Sequence, residues 1–282
     1  ETLKKIASYE DILNHYDSMA RVIQKDLDRI KKEYGRKRRT AIENAEEAVY
    51  EEKKMEEMEV CFLMDRFGYM KLIDKNAYER NKEAVHNENK YVFNCMNTDK
   101  ICIFTDTGKM HTIKAVDIPL GRFRDKGTPV DNLSNYDSSQ ERMLYVAPVG
   151  QLRSDRLLFV TKTSMCKLVE GAEFDVAKRT IASTKLADED ELIFIGSASE
   201  MEQIVLQSHG GCFLRFLTQE VSTMKKTALG VRGMKLADDD YLEHAYLLAG
   251  HQEYTISYHD KEYALNKVRL AKRDTKGIKP RI

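Results

Sequence analysis

Two loops of this chain carry cations and a glycine in the same order. Residues 121–133 read Gly-Arg-Phe-Arg-Asp-Lys-Gly-Thr-Pro-Val-Asp-Asn-Leu, and residues 224–236 read Met-Lys-Lys-Thr-Ala-Leu-Gly-Val-Arg-Gly-Met-Lys-Leu. In each loop two or more cations precede a glycine, and an apolar residue then returns the chain to the core. Glycine permits a tight turn and a close approach to a phosphate, while lysine and arginine supply charge and counterion release. The pattern indicates binding of a phosphate backbone.

Further cations follow the predicted hairpin turns. If the hairpins are successive units of one domain, these cations and those of the loops would together form a curved basic track. The predicted phosphate contacts are Lys71, Lys109, Lys114, Arg122, Arg124, Lys126, Lys167, Arg215, Lys225, Lys226, Arg232 and Lys235. The alternative is an ordinary solvated surface, because 33% of the residues are charged. The sequence has no aromatic stacking motif for single strands and no recognition helix for bases. Sequence-independent contact with duplex phosphates, with bending, fits this pattern best.

Motifs of enzymatic catalysis are absent from the sequence. There is no P-loop, dinucleotide-binding glycine fingerprint, Gly-x-Ser-x-Gly or His-Glu-x-x-His, and the seven histidines are dispersed. The acidic runs at 188–191 and 238–240 lack the spacing of a calcium loop and precede predicted strands, so we interpret them as solvated turns. The five cysteines form no Cys-x-x-Cys pair, which predicts free thiols and no metal site.

The elements that position these loops are predicted β-hairpins. Five units with a strand, a turn and a second strand recur about every 40 to 55 residues, a spacing typical of propeller-like arrays. Their first strands begin near Val60, Ile101, Leu157, Ile204 and Tyr254. The sequence therefore predicts a mainly β domain of five blades over residues 59–282.

A helical segment precedes this β domain. In residues 1–35, apolar residues recur at spacings of three and four, with a break near Asn14 and His15, and Gly35 is a candidate left-handed cap. A glutamate-rich connector at 43–59 follows, which gives predicted domains of 1–58 and 59–282. The apolar stripe fits either core packing or a partner surface.

Composition limits the possible binding partners and location of the protein. The chain has 282 residues with 46 basic and 46 acidic side chains, so a uniformly basic nucleic-acid binder is excluded but a local basic face is not. No apolar run is long enough to span a membrane, and no signal peptide is visible. We expect a cytoplasmic protein. A first residue of Glu1 suggests a fragment of a longer chain.

Three segments resemble one known family, the A subunits of the bacterial type II topoisomerases DNA gyrase and topoisomerase IV. Residues 27–35 followed by Arg38-Arg39-Thr40 resemble the segment where the family's coiled-coil tower returns to the body. Residues 68–71, Gly-Tyr-Met-Lys, are similar to the first-blade Gly-Tyr-Ile-Lys. Residues 227–236 resemble the late-blade Thr-Ala-Arg-Gly-Val-Arg-Gly-Ile-Lys-Leu. The resemblance spans nearly the whole chain.

The resemblance implies a five-bladed β-pinwheel, preceded by helices of the coiled-coil region, that binds and bends double-stranded DNA around its rim. It implies an A-subunit homodimer and a partner B subunit that supplies ATP hydrolysis and the Mg²⁺ site, in a bacterial, nucleoid-associated enzyme. The catalytic tyrosine motif is absent from this chain, so we expect no DNA cleavage by it alone and no cofactor of its own.

The sequence departs from gyrase at one motif. Gyrase has a basic box, Gln-Arg-Arg-Gly-Gly-Lys-Gly, after its first hairpin, whereas residues 77–88 contain no glycine and several acids. With five blades and a neutral charge balance, this favours a topoisomerase IV-like subunit that decatenates and relaxes DNA during chromosome segregation. The alternatives are a gyrase subunit with a degenerate box and, from another class, a propeller that binds proteins.

Overall fold

A computed structural model describes residues 1–40, 56–250 and 253–280. The chain divides into two compact units, Glu1–Lys54 and Met55–Ile282. The connector predicted at 43–59 lies mostly outside the described residues. The domain boundary predicted between residues 58 and 59 therefore stays a prediction.

The described part of the first unit contains two helices, α1 (Thr2–Asn14) and α2 (Tyr16–Tyr34), which contact each other. His15 separates them with extended backbone angles, so the predicted helix break is confirmed. The predicted left-handed cap is wrong. Gly35 has φ −63° and ψ 128°, which is extended backbone, and its N–H donates to the Lys31 carbonyl oxygen. No residue of either helix is buried, and the apolar stripe of α2 is exposed.

The second unit is mainly β, as predicted. Its described strands are β1 (Glu59–Asp65), β2 (Tyr69–Asp74), β3 (Asn89–Met96), β4 (Lys100–Thr105), β5 (Lys109–Lys114), β6 (Thr128–Pro129), β7 (Met143–Pro148), β8 (Arg156–Thr161), β9 (Met165–Glu170), β10 (Thr180–Ala182), β11 (Leu192–Ser197), β12 (Gln203–Ser208), β13 (Phe213–Leu217), β14 (Val231–Arg232), β15 (Leu242–Leu248), β16 (Thr255–Tyr258) and β17 (Lys261–Ala264). Its short helices are α3 (Lys75–Arg80), α4 (Lys82–Glu88), α5 (Val130–Leu133) and α6 (Val149–Leu152).

All five predicted hairpins are present, and each belongs to a different sheet. The hairpins are β1–β2, β4–β5, β8–β9, β12–β13 and β16–β17, all antiparallel. In the first four sheets the next long strand along the chain, β3, β7, β11 or β15, pairs with the first hairpin strand. The fifth sheet contains only β16 and β17 among the described residues.

The sheets are interlocked through a short strand that returns from the next repeat. Strand β6 follows the second hairpin but pairs with β2 of the first sheet. In the same way β10 pairs with β5, and β14 pairs with β9. After the fifth hairpin, Leu270 and Ile278 form bridges to Arg215 and Phe213 of the fourth sheet. We call these four returning segments, residues 119–129, 175–182, 222–232 and 269–278, the crossing segments.

The crossing segments lie at the outer edges of the sheets. Strand β3 contacts β7, β7 contacts β11 and β11 contacts β15, so these four strands form one row along the inner edges of the sheets. The sheet order runs from this inner strand through the hairpin to the crossing segment. Every crossing segment is therefore on the outside of the array.

Neighbouring sheets pack face to face, so their central strands are buried on both faces. This explains why β4 and β8 read as continuous apolar runs instead of alternating ones. Between the second and third sheets, for example, the Phe104 and Phe174 rings meet edge to face with centroids 5.0 Å apart. Helices α3 and α4 cover the free face of the first sheet, where Val85 packs on Leu63 and Ile73.

Candidate nucleic-acid interface

Each of the two basic loops found in the sequence is the tip of a crossing segment. In the first, Leu120 bridges in parallel to Leu72, the chain reverses, and Thr128–Pro129 returns antiparallel to Met70 and Tyr69. The third repeats this geometry, with Thr223 parallel to Leu168 and Val231–Arg232 antiparallel to β9. Residues 121–127 and 224–230 therefore project from the outer edge, and we call them the first and third outer loops.

The glycine of each outer loop serves a contact inside the protein. Gly127 has φ +82° and Gly230 has φ +108°, a region that side chains rarely adopt. A Cβ on Gly127 would lie 2.6 Å from the Met70 carbonyl oxygen, and one on Gly230 would lie 2.7 Å from that of Cys166. The sequence suggested that glycine allows a phosphate to approach. In the structure it allows the loop backbone to approach the second hairpin strand.

Two of the predicted phosphate contacts hold these loops from the inside. Lys167 is buried, and its Nζ donates to the carbonyl oxygens of Lys226 at 2.8 Å and Ala228 at 2.7 Å. Lys71 is half-buried, and its Nζ donates to the carbonyl oxygens of Asp125 at 2.6 Å and Phe123. Both ammonium groups are therefore engaged by protein carbonyls and are not free to contact a phosphate.

Burial changes the proton affinity of both lysines. Removal from water disfavours the charged form, so the pKa of Lys167 falls from 10.5 to about 8, although Glu173 partly opposes this change. Burial also lowers the pKa of Lys71, against the opposing effect of Asp125. Charge-assisted hydrogen bonds to two carbonyls offset the cost of burying each ammonium.

Six of the predicted contacts have exposed side chains without an ion pair in the described part of the chain. They are Lys114, Arg122, Arg124, Lys126, Lys225 and Lys235. Three of them follow one another at alternate positions of the first outer loop, and Lys126 places its Nζ 4.5 Å from the centre of the Tyr69 ring. Arg122, Arg124, Lys126 and Lys225 lie on the outer loops, so they can reach a ligand at the outer edge without breaking an ion pair inside the protein.

The remaining four predicted contacts have protein partners. Arg232 forms a bidentate ion pair with Asp274 of the fourth crossing segment. Lys109 binds Glu141 at 2.9 Å, and Lys226 Nζ donates to the Glu173 carbonyl oxygen at 2.9 Å. Arg215 is half-buried and donates from Nη1 to the Asn266 carbonyl oxygen. Any contact of these four with a ligand competes with an existing interaction.

Sequence reasoning missed the basic residues of the second and fourth crossing segments. Lys178 and Arg179 are exposed just before β10, and Lys272 and Lys276 are exposed between Leu270 and Ile278. The signal was the tripeptide Ala-Lys-Arg, which occurs at 177–179 and again at 271–273. The second segment does not match the pattern of the two basic loops, because it is shorter than the first and third and contains no glycine.

The other polar clusters stabilise turns, as the sequence predicted. Asp190 accepts hydrogen bonds from Thr163 in the third hairpin turn, and Asp240 accepts one from the Gly210 N–H in the fourth. Within residues 1–40, 56–250 and 253–280, no group of three or more His, Cys, Asp or Glu could hold a metal ion. All five cysteines are free thiols, and four of them are buried. None of the described helices is long and apolar enough to cross a membrane.

Fold and interface together define an interlocked β-propeller whose outer loops are basic, and known proteins share features with it. A family model described as DNA gyrase C-terminal domain, beta-propeller, matches residues 99–138, 155–199 and 202–249. These ranges begin at the second, third and fourth hairpin repeats. The A subunit of DNA gyrase from Clostridium acetobutylicum is 29% identical over 244 residues, which cover 83% of this chain and 29% of that protein. The Ureaplasma parvum subunit is 25% identical over 290 residues, or 97% of this chain and 34% of that protein.

Solved structures share the fold. The C-terminal domain of DNA topoisomerase IV superposes with a TM-score of 0.69 at 22% identity, covering 79% of this chain and 73% of that one. The Escherichia coli ParC C-terminal domain gives 0.63 at 15% identity, covering 79% and 94%. The five-bladed, propeller-like class is thus confirmed. The chain is therefore similar in sequence to A subunits of DNA gyrase and similar in fold to the C-terminal domain of topoisomerase IV, and it spans about a third of the length of the two gyrase subunits.

Proposed function

We propose that this chain is the DNA-binding and DNA-bending C-terminal domain of a topoisomerase IV-like A subunit. The observation that carries the proposal is the recurrence of exposed cations on crossing segments at the outer edges of successive sheets. The domain binds a duplex segment along this edge and presents it to a separate cleavage core for ATP-dependent strand passage, which decatenates and relaxes DNA.

The outer edge suits the phosphate backbone and not the bases. Its cations lie on loops, and the helices in the described part of the β unit have seven residues or fewer, too short to act as recognition helices in a major groove. Lysine and arginine on such loops gain affinity by releasing counterions, with no dependence on sequence. A duplex that follows cations on several neighbouring sheets must bend, and the added phosphate contacts offset the bending energy.

The remaining parts of the reaction belong to other components of the proposed enzyme. An A-subunit homodimer contains the cleavage core with its tyrosine, and the B subunit supplies ATP hydrolysis and the Mg²⁺ site. This chain has no counterpart of the tyrosine motif in its sequence, so it binds DNA without cleaving it. The proposed location is the bacterial cytoplasm, in association with the nucleoid.

The assignment to topoisomerase IV depends on the segment after the first hairpin. In this chain α3 and α4 occupy that segment, which contains no glycine and has Glu79, Glu83 and Glu88 beside the cations Arg80 and Lys82. Helices that pack on the first sheet through Val85 and Tyr78 are unsuited to wrap DNA as a basic, glycine-rich segment does. The second candidate, a gyrase subunit with a degenerate box, is favoured by the identity of the curated relatives, which are gyrase A subunits.

Duplex binding is tested with the 282-residue chain and a short fluorescent duplex by anisotropy. We expect the affinity to fall steeply between about 50 and 200 mM salt, with little dependence on base sequence. Changing Arg122, Arg124, Lys126 and Lys225 to Gln together should weaken binding and reduce the salt slope by about 0.9 for each phosphate that is no longer neutralised. Lys75→Gln is the matched control, since Lys75 is exposed on α3 and paired with Glu59. A protein-binding propeller would show no salt-dependent affinity for duplex DNA.

The subtype is tested with the full-length A subunit and its B subunit. A topoisomerase IV-like enzyme should decatenate linked circles and relax supercoils with ATP, and it should introduce no net negative supercoils. Robust ATP-dependent negative supercoiling of relaxed plasmid would assign the chain to gyrase instead.

A further inference from the structure

The first and third outer loops are built around the same pair of hydrogen bonds. Lys71 and Lys167 occupy the same register position, since each is the third residue of its second hairpin strand. Their acceptors are also equivalent, because the carbonyls of residues 123 and 125 correspond to those of 226 and 228, and the glycine follows two residues later in both loops. Two independent copies of one arrangement indicate a built feature and not a chance contact.

The arrangement determines which residues of the loop face outward. Two carbonyl oxygens at alternate positions point inward to the ammonium, and the residues between and beside them face solvent. In the first loop these outward residues are Arg122, Arg124 and Lys126, all exposed. In the third loop they are Lys225, Thr227 and Leu229, also exposed. The tip of each loop has no strand partner, and the ammonium joins two of its carbonyls to the second hairpin strand. Local hydrogen bonds, such as the one from the Arg122 N–H to Asp125 Oδ2, close the turn, and the ammonium attaches that turn to the sheet.

The remaining two sheets have another polar residue at the same register position. His111 in the second sheet bonds Thr180 Oγ1 of the shorter crossing segment and Glu141 Oε2. Arg215 in the fourth sheet binds the Asn266 carbonyl oxygen. Only the two lysines, within the described ranges, hold a loop tip through a pair of carbonyls. The first outer loop, which has the most outward-facing cations, is one of the two loops held in this way.

We infer that Lys71 and Lys167 are positioning residues of the DNA-binding surface, which govern DNA affinity without touching DNA. Each ammonium holds an outer loop in the one conformation that presents its alternate side chains to a phosphate backbone. The inference rests on the proposed function and adds that DNA affinity depends on two residues that lie behind the contact surface.

The test replaces each lysine by a side chain of similar length without charge. Lys71→Met keeps the aliphatic packing but leaves the carbonyls of residues 123 and 125 unpaired, so the first loop loses its fixed conformation. We expect duplex affinity to fall at least tenfold and the salt slope to fall by more than 1.5. Removal of one direct phosphate interaction lowers the slope by only about 0.9, so a larger decrease identifies an effect on several cations. Lys75 begins helix α3, directly after the strand that contains Lys71 and outside the loop, so the duplex affinity of Lys75→Met should stay within twofold of the parent.

A second measurement follows the loop itself. Trypsin should cut Lys71→Met rapidly after Arg122, Arg124 or Lys126, while the parent and Lys75→Met resist at these bonds. Lys71→Arg, which restores a charged donor, should recover part of the salt slope of DNA binding and part of the resistance to trypsin. The half-buried Lys71 is the first choice because Lys167→Met, in the interior, also lowers global stability. Thermal unfolding checks that each variant is folded.

The outcomes separate this inference from the function on which it rests. If the Gln variants of the first-loop cations lose DNA affinity but Lys71→Met retains the full salt slope and resists trypsin, the positioning inference is overturned and the proposed function stands. If the parent chain does not bind duplex DNA, the proposed function fails. In that case rapid cleavage of Lys71→Met within residues 122–126 still supports the loop-holding role, and resistance there overturns it.

Discussion

At the scale of single residues, the buried ammonium of Lys167 costs stability that depends on pH. Its pKa is lowered to about 8 in the fold, against 10.5 for the ordinary side chain, so the unfolded chain binds more protons between these values. The cost of burial is complete below pH 8 and is relieved as the pH rises towards 10.5. We expect the parent to gain stability relative to Lys167→Met by about 1–2 kcal/mol between pH 8 and 10, measured by urea unfolding. Alkaline titration of Tyr and Cys is common to both proteins and cancels. If the difference in unfolding free energy between the two proteins stayed constant from pH 8 to 10, the lowered pKa of Lys167 would be contradicted.

Glu141 shows the opposite relation between burial and charge. Burial alone would raise the pKa of Glu141, but hydrogen bonds from His111, Lys109 and Thr105 lower it to about 2. The resulting stability is complete above the ordinary pKa of 4.5 and is lost as the pH falls towards 2. Glu141→Gln should lower the free energy of unfolding at pH 7 by about 1–3 kcal/mol. It should also reduce the loss of stability that the parent shows as the pH falls from 4.5 to about 2. Glu191, whose side chain is 45% exposed and pairs with Lys162, provides the control: Glu191→Gln should change stability by less than about 0.5 kcal/mol.

At the scale of elements, the crossing segments depend on glycine for their contact with the hairpins. Alanine at Gly127 or Gly230 would place Cβ against a backbone carbonyl and would also require a positive φ. Neither strand can shift without breaking its ladder, so we expect a loss of about 1–3 kcal/mol and detachment of the loop. Gly150→Ala is the matched control, because its Cβ would meet only Asp99 Oδ2 at 3.5 Å and its φ is not positive. Hydrogen exchange at Met70 and Cys166 should accelerate in the first two variants alone.

The hairpins were predictable from the sequence and the crossing segments were not, for a physical reason. A hairpin is local: a continuous apolar run and a turn such as Asp106-Thr107-Gly108 are visible within a dozen residues. Strands β6 and β14 have two residues each and pair with the preceding repeat, so their partners lie about 60 residues away. For the same reason Lys167 is counted as a surface cation in the sequence. Its carbonyl partners follow it by 59 and 61 residues.

At the scale of the whole molecule, exposed cations at the outer edge coexist with a formal net charge of +0. The balancing acids lie partly in the turns at 188–191 and 238–240, beside the hairpin turns. Segregation of this kind concentrates positive potential along one edge without a basic overall composition. We expect the DNA affinity of the chain to depend on the edge cations and to be little changed, within about twofold, by Asp188→Asn or Asp238→Asn. A change as large as that from the edge variants would contradict the segregation.

Interlocking of the sheets makes their stability collective. Residues 253–280 contribute the fifth hairpin and also the outer segment of the fourth sheet, where Ile278 exchanges two backbone hydrogen bonds of 2.8 Å with Phe213. Leu265 and Val268 of the same stretch pack on Val205, Phe213 and Leu248. Truncation after residue 250 should therefore expose the core of the fourth sheet and lower the thermal midpoint of the β unit by more than about 5 °C. Deletion of residues 1–54, a separate compact unit, should leave that midpoint within about 1 °C. Calorimetry of both truncated chains distinguishes the cases, and an unchanged midpoint after loss of residues 251–282 would mean that each sheet is stable without the segment it receives from the next repeat.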